Sequence, residues 1–239
     1  MTIHRIRCFG DFACFSRPEM KVERLSYPCP TPSAARGIFD AIYVKPLEFR
    51  WEVTQIDLLA SPQFIALRRN EAKEKVNAAN VIAWADGSAA PEPIWADGDR
   101  ALTGSDERGR TQRQTIALKN PAYRLHARIV PWPGFEKQLP AFDAQFQRRA
   151  SAGKCFQQPY FGCREFPAYF EVDERGDGIL RDLNLDIGLM VYDVWDMARR
   201  GGQGHDRPSI SFFEAVVRAG VLDVPPFDSG AVLKPQEAR

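Results

Sequence analysis

Residues 2–9 alternate in character, with Ile3, Arg5 and Arg7 on one face and His4, Ile6 and Cys8 on the other, and predict a first strand. Both faces are mixed, so the pattern does not say which is buried. Residues 10–30 read as loop, broken by Pro18, Pro28 and Pro30. Thr31-Pro32 is a helix start, Thr as N-cap and Pro in the first turn. Ala34, Ala35, Ile38, Ala41 and Ile42 form an apolar stripe behind it, and Pro46 ends the helix. Two strands follow, Phe49–Leu59 and Gln63–Arg69, around Ser61-Pro62.

The stretch 70–113 has no clear period and scatters Gly87, Pro91, Pro93, Gly98, Gly104 and Gly109 among charges, which predicts a long insertion. Thr115–Lys119 is a short strand and Asn120-Pro121 a turn. Ala122–Val130 alternates cleanly, with Tyr123, Leu125, Ala127 and Ile129 against Arg124, His126 and Arg128. A second helix is expected over 141–152, ending at Gly153. Strands follow over Tyr160–Val172 and Leu183–Tyr192, with a short helix near Phe212–Ala219. The order β-α-β-β, then strand, helix and a β-rich tail, predicts an α+β fold: a ferredoxin-like (RRM-like) domain over 1–153 with an insertion around 70–113, and a β-rich C-terminal region over 154–239.

Length and composition fit a globular chain. The 239 residues are 44% hydrophobic and 26% charged. No apolar stretch approaches the ~20 residues of a membrane helix, and the N-terminus lacks a signal-peptide core, which together predict a cytoplasmic protein without a membrane partner. Five cysteines, Cys8, Cys14, Cys29, Cys155 and Cys163, include no C-x-x-C pair, so neither a disulfide framework nor a zinc site follows. The formal net charge of +1 hides an asymmetry. Residues 100–154 carry 11 Lys and Arg against 4 Asp and Glu; residues 155–239 carry 9 against 14. The middle third is therefore the expected footprint for a polyanion.

The run 9–46 packs Phe9, Phe12, Phe15 and Tyr27 among Arg17, Lys21 and Arg24, a composition suited to unstacked bases and phosphates, although core packing is the commoner use of aromatics. Tyr43 and Lys45 at the helix end have the chemistry to act on a phosphodiester. Asp182, Asp186, Asp193 and Asp196 cluster in sequence, as in divalent-metal hydrolases. Their alternation on a strand instead fits solvated carboxylates, and His4, His126 and His205 lack ligand spacing. No metal or other cofactor is expected.

The same residues carry a resemblance: Gly10-Asp11 through Arg17-Pro18-Glu19, Tyr27, Thr31 to Gly37, Ala41-Ile42-Tyr43, Lys45-Pro46, Arg68 to Glu71, Gly162 to Phe166, Gly188 to Asp193, Phe212-Phe213 and Gly220-Val221. The chain resembles the CRISPR-associated endoribonucleases of subtype I-C, the Dvulg form, in the RAMP superfamily of repeat-RNA-binding proteins. The resemblance implies metal-independent cleavage of CRISPR repeat RNA at the base of its hairpin, with the RNA 2′-OH as nucleophile and a Tyr-Lys-His set. The protein would then stay on the 5′ handle of the mature guide RNA beside other subunits of the type I-C complex. Tyr43 matches the family tyrosine and Lys119 the lysine. Asn120 stands where the resemblance implies histidine, leaving His126 as the nearest proton carrier in sequence. Alternatives are a handle-binding subunit that cleaves poorly and a general double-stranded nucleic-acid binder, double-stranded DNA included. The cations expected to meet RNA are Arg24, Arg36, Arg68, Arg69, Arg110, Arg113, Arg124 and Arg164, with Arg108 on the same insertion.

Overall fold

The computed structural model describes residues 2–20, 22–95, 99–173, 175–201 and 208–235; Lys21, Gly98 and His205 lie outside them. The chain forms two compact units, one of Met1–Ile65 with Ile116–Arg239 and one of Ala66–Thr115. The strands and helices run β1 (His4–Phe9), β2 (Phe12–Ala13), β3 (Arg24–Leu25), α1 (Pro32–Ile42), β4 (Phe49–Leu58), β5 (Phe64–Ala72), α2 (Ala78–Ala85), α3 (Arg100–Thr103), β6 (Arg110–Lys119), β7 (Ala122–Pro131), α4 (Leu139–Ser151), β8 (Tyr169–Val172), β9 (Leu185–Asp193), β10 (Ser211–Arg218), β11 (Val221–Asp223) and β12 (Val232–Leu233). The fold is thus mixed α/β and mostly sheet. Among the described residues no helix is long and apolar enough to cross a membrane.

In the first unit, eight strands form one sheet in the order β12-β10-β11-β4-β7-β1-β8, with β9 also paired to β10. Among the described residues its pairings are antiparallel. β7 is its spine, with His4 opposite Ala127 on one side and Phe49 opposite Pro131 on the other. Alternation decides what each face of β7 does. Tyr123, Leu125, Ala127 and Ile129 are buried beneath α1 and α4. There Phe39, Trp51, Phe146 and the His4 ring pack at 4.7–5.6 Å between centroids. This fixes the buried face of β1 as His4, Ile6 and Cys8. The burial of His4 is tolerated because its Nε2 lies 2.7 Å from Asp143.

The start of α1 is as the sequence predicts: Thr31 is extended and its Oγ1 accepts from the Ala34 N–H at 3.1 Å. Three expectations need correction. Residues 211–218 are a strand, not a helix: Ser211, Phe213, Ala215 and Val217 are buried while Glu214, Val216 and Arg218 are exposed, a period of two that outweighs helix propensity. Only Tyr169–Val172 of the expected Tyr160–Val172 strand is extended in the sheet; before it lies a loop with an isolated Tyr160–Pro167 bridge. The third concerns the aromatic run: Phe15 and Tyr27 are 3% and 1% exposed, which makes them core rather than platform.

The second unit holds α2 and α3 and the outer parts of β5 and β6. Its ribbon closes through the Lys73 N–H to the Gly109 carbonyl. Asn77 and Asp99 cap its two short helices.

A buried ion pair ties α1 to β9. Arg36 on α1 donates from Nε to Asp193 Oδ2 at 2.8 Å and from Nη2 to Asp193 Oδ1 at 3.2 Å, with Asp40 a second partner. Removing Asp193 leaves two of the Arg36 donors unpaired in the core, with Asp40 as the remaining partner. Asp193→Ala is therefore expected to cost roughly 3–5 kcal/mol in urea denaturation. The Arg36→Met, Asp193→Leu double variant should recover much of that, and equal losses in both variants would show that packing, not charge, sets the cost.

Candidate active site

α1 ends at Tyr43, which turns extended (φ −153°, ψ 118°). The chain there is pinned twice: the Tyr43 N–H donates to Phe39 O at 2.9 Å, and its carbonyl accepts from Trp51 Nε1 at 2.8 Å. The ring lies 5.3 Å from that of Phe49 and the residue is 5% exposed. Lys45, Arg149 and Glu48 surround it electrostatically. Burial pushes the Tyr43 hydroxyl above its ordinary pKa; Lys45 and Arg149 oppose that shift and Glu48 adds to it. At neutral pH Tyr43 is therefore a neutral hydroxyl, able to donate one hydrogen bond and accept another.

The two cations are held differently. Lys45 Nζ sits 2.9 and 3.0 Å from the Glu48 carboxylate and 5.5 Å from the Phe142 ring centroid. Arg149 donates from Nε to the Ile42 carbonyl at 2.6 Å and lies 4.1 Å over the Phe156 ring. No acidic side chain among the described residues pairs with it. A neutral hydroxyl with one uncompensated guanidinium and one shared ammonium can orient a ribose hydroxyl and hold a phosphoryl oxygen. Lys45 was legible in the sequence. Arg149 is added to the candidate site by the structure, its signal in the sequence being the Arg148-Arg149 pair in the last turn of a helix that ends at Gly153.

Lys119 and Asn120 do not join this site. Phe49, beside Tyr43, pairs with Pro131 at the end of β7, whereas Lys119 and Asn120 form the turn into Ala122 at its start. Those ten residues of strand span about 30 Å. Asn120 has φ +49° and donates its N–H to Asp11 O at 2.8 Å. Asn adopts this left-handed conformation more readily than most residues, so the turn accounts for its presence. Lys119 is exposed and pairs with Phe12.

His126 lies on the β7 face opposite the helices. Its Nε2 is 2.9 Å from Asp57 Oδ2, and its side chain is 12% exposed. Asp57 also accepts from Arg124 Nη1 at 3.1 Å, and Arg124 Nε donates to Asp173 at 2.6 Å. Arg124 and Arg36 are thus internal structural cations, contrary to their expected place on RNA. Arg69 and Arg113 both reach Glu71 in the second unit. Arg68 and Arg110 there are exposed. Arg108 bridges Glu74 and Glu92. Arg24 sits 3.8 Å from Cys163 Sγ and 4.0 Å from Glu165, and Arg164 is exposed over Tyr160. Of the clustered acids, Asp193 is committed to Arg36, while Asp186 and Asp196 cap local turns. Among the described residues no three His, Cys, Asp or Glu side chains gather at metal-binding spacing.

The fold has a solved counterpart. It matches the solved structure of a CRISPR-associated protein with a TM-score of 0.63, covering 97% of this chain and 96% of that one at 18% identity, a likeness of fold alone. Sequence similarity narrows this to a particular family: the model described as CRISPR-associated protein (Cas_Cas5) matches residues 5–225, and the chain belongs to that family. It is 40% identical over 236 residues to the CRISPR pre-crRNA endoribonuclease Cas5d of Thermus thermophilus, covering 92% of this chain and 90% of that protein. It is 38% identical over 231 residues to the CRISPR pre-crRNA endoribonuclease Cas5d of Mannheimia succiniciproducens, covering 93% and 95%.

The His126 network carries a pH dependence. Asp57 is buried, which alone would raise its pKa; hydrogen bonds from His126, Gln55 and Arg124 overcome this and hold it below the usual carboxylate range. A depressed folded-state pKa stabilises the fold above the unfolded value, near 3.9, and that stability is lost as pH falls through the lower folded-state value. Thermal melting from pH 7 to pH 2 is expected to show this acid loss, and Asp57→Asn to flatten it while lowering stability at pH 7. An equally steep loss in Asp57→Asn would assign it to other carboxylates.

Proposed function

We propose that this chain is a pre-crRNA endoribonuclease that cuts CRISPR repeat RNA at the hairpin base without a metal ion and keeps the 5′ handle as a subunit of a type I-C interference complex. The observation that carries the reading is full-length identity near 40% to two proteins of that activity, with the Tyr43 site as its chemical counterpart. The 2′-oxygen attacks the adjacent phosphorus, the bond to the 5′-oxygen breaks, and the 2′ proton is lost as the 5′-oxygen gains one. The products are a 2′,3′-cyclic phosphate and a free 5′-OH. Neutral Tyr43 hydrogen-bonds the 2′-OH, and Arg149 with Lys45 holds the charge of the phosphorane. In this reading these two cations take the role that the resemblance implies for Lys119.

The fold reading is a ferredoxin-like core. Its support is the chain order β1-α1-β4-β7-α4-β8 with the sheet order β8-β1-β7-β4. We read residues 1–153 as this RRM-like domain with an insertion around 70–113. The remainder, 154–239, supplies β8 and extends the sheet through β9–β12.

A handle-binding subunit that cleaves slowly is the second reading. It is favoured by the described histidines: His126 is on the far sheet face, and His4 is buried on Asp143. Neither is placed to protonate the leaving oxygen beside Tyr43.

Single-turnover cleavage of labelled repeat RNA tests both readings. Tyr43→Phe and Arg149→Ala are each expected to slow it roughly 10²–10³-fold, the usual effect of one lost transition-state donor. Lys119→Ala should cut at close to the wild-type rate. EDTA should leave the rate unchanged, and a 2′-deoxy sugar at the cut site should abolish cleavage but not binding. Wild-type rates in both Tyr43→Phe and Arg149→Ala would remove the site; binding with no cleavage at all would select the second reading.

A further inference from the structure

β8 ends the sheet and pairs only with β1 among the described residues. On its outward face Tyr169 is 52% exposed, and Phe9, its register partner on β1, is 38% exposed. The rings lie 6.0 Å apart and only 34° from parallel. One step along the same face, Arg7 opposes Glu171, and the Arg7 guanidinium also sits 5.6 Å from the Phe9 ring centroid. Arg7 and Glu171 are 44% and 50% exposed, so their pair contributes little and opens easily. Both line a cavity of about 610 Å³ that also takes in Asp173, Arg175 and Asp177. Arg124 closes its floor, already bound to Asp57 and Asp173. Arg175 is exposed, without an acidic partner among the described residues.

We propose that this face is a second RNA site, which takes one unpaired nucleotide away from Tyr43. The base stacks on the Phe9–Tyr169 pair. Arg7 and Arg175 offer donors to its edge or to the adjoining phosphate, and Glu171 and Asp177 offer acceptors to the amino groups of its edge. A paired aromatic surface with a guanidinium beside it recognises any base face, and a cavity of this volume suits a nucleotide-sized ligand. The mixed charge of the lining favours a base edge over a bare phosphate cluster. The proposal rests on the RNA-binding reading above but not on cleavage.

Fluorescence anisotropy with a labelled single-stranded oligoadenylate tests it on the full chain. Phe9→Ala and Tyr169→Ala should each weaken binding about 5- to 150-fold, and Tyr169→Phe should bind like wild type because the ring face is kept. Circular dichroism checks that the variants fold. Should an alanine variant unfold, Tyr169→Trp replaces it, its emission expected to be quenched on adding oligoadenylate. Unchanged affinity in both folded alanine variants, equal loss in Tyr169→Phe, or an unquenched Trp overturns the proposal. A change in sedimentation without a change in affinity does so too, pointing to a protein contact at the β8 edge. Wild-type chain that binds through this face yet fails to cut repeat RNA would sink the endoribonuclease reading alone, and one that cuts normally with both alanine variants binding normally would sink the platform alone.

Discussion

The carboxylate of Asp57 is the contact on which the far face of the sheet depends. It is 1% exposed, yet it accepts from Arg124, His126 and Gln55. A buried charge is tolerable only when its lone pairs are filled, and here three neighbours fill them. Arg124 carries the network on to Asp173, and the segment after β8 is tied to the sheet through that guanidinium. Next to it Arg128 donates to Glu52, repeating the same solution. The helix-covered face of β7 is held by aromatic packing and the opposite face by matched charges.

That arrangement consumes cations a polyanion would otherwise meet. The excess of Lys and Arg over residues 100–154 suggests one broad footprint. The structure divides it: Arg124 and Arg128 answer buried carboxylates, Arg108 and Arg113 answer Glu74, Glu92 and Glu71, Arg110 and Lys119 stay exposed, and Arg149 faces Tyr43. Net charge counts groups, but a footprint depends on which groups keep their charge uncompensated at the surface. The aromatics divide in the same way. Phe15 and Tyr27 are spent on the core, and Phe9 remains outside because its position on β1 falls on the exposed side of the alternation.

Much of the fold was legible. The Thr31-Pro32 cap, the clean period of Ala122–Val130 and the helix before Gly153 are local signals, and each became the element it predicts. What failed was non-local. Phe212–Ala219 holds enough apolar residues to read as a helix, and only its partners β9, β11 and β12 force a period of two. Tyr43 and Lys45 could be picked out because a helix end, two chemical groups and a motif coincide there. Lys119, Asn120 and His126 lie close to one another in sequence, and the alternation of Ala122–Val130 already sets His126 on the charged face, but nothing local says which end of that strand will lie beside Tyr43. One antiparallel register sends the first two to the far end of β7 and the third to its far face.

The same register constrains the chemistry left at Tyr43. With no described histidine beside it, the site proposed here offers a hydroxyl that burial keeps protonated, the Lys45 ammonium and the Arg149 guanidinium. Such a set can orient a nucleophile and lower the energy of a phosphorane, but it has no group that titrates near pH 7 to shuttle the proton to the leaving oxygen. Water or the RNA itself must then carry that proton. In the proposed reading such a site suits a protein that acts once on its substrate and then holds the product, because holding requires affinity rather than a fast catalytic cycle.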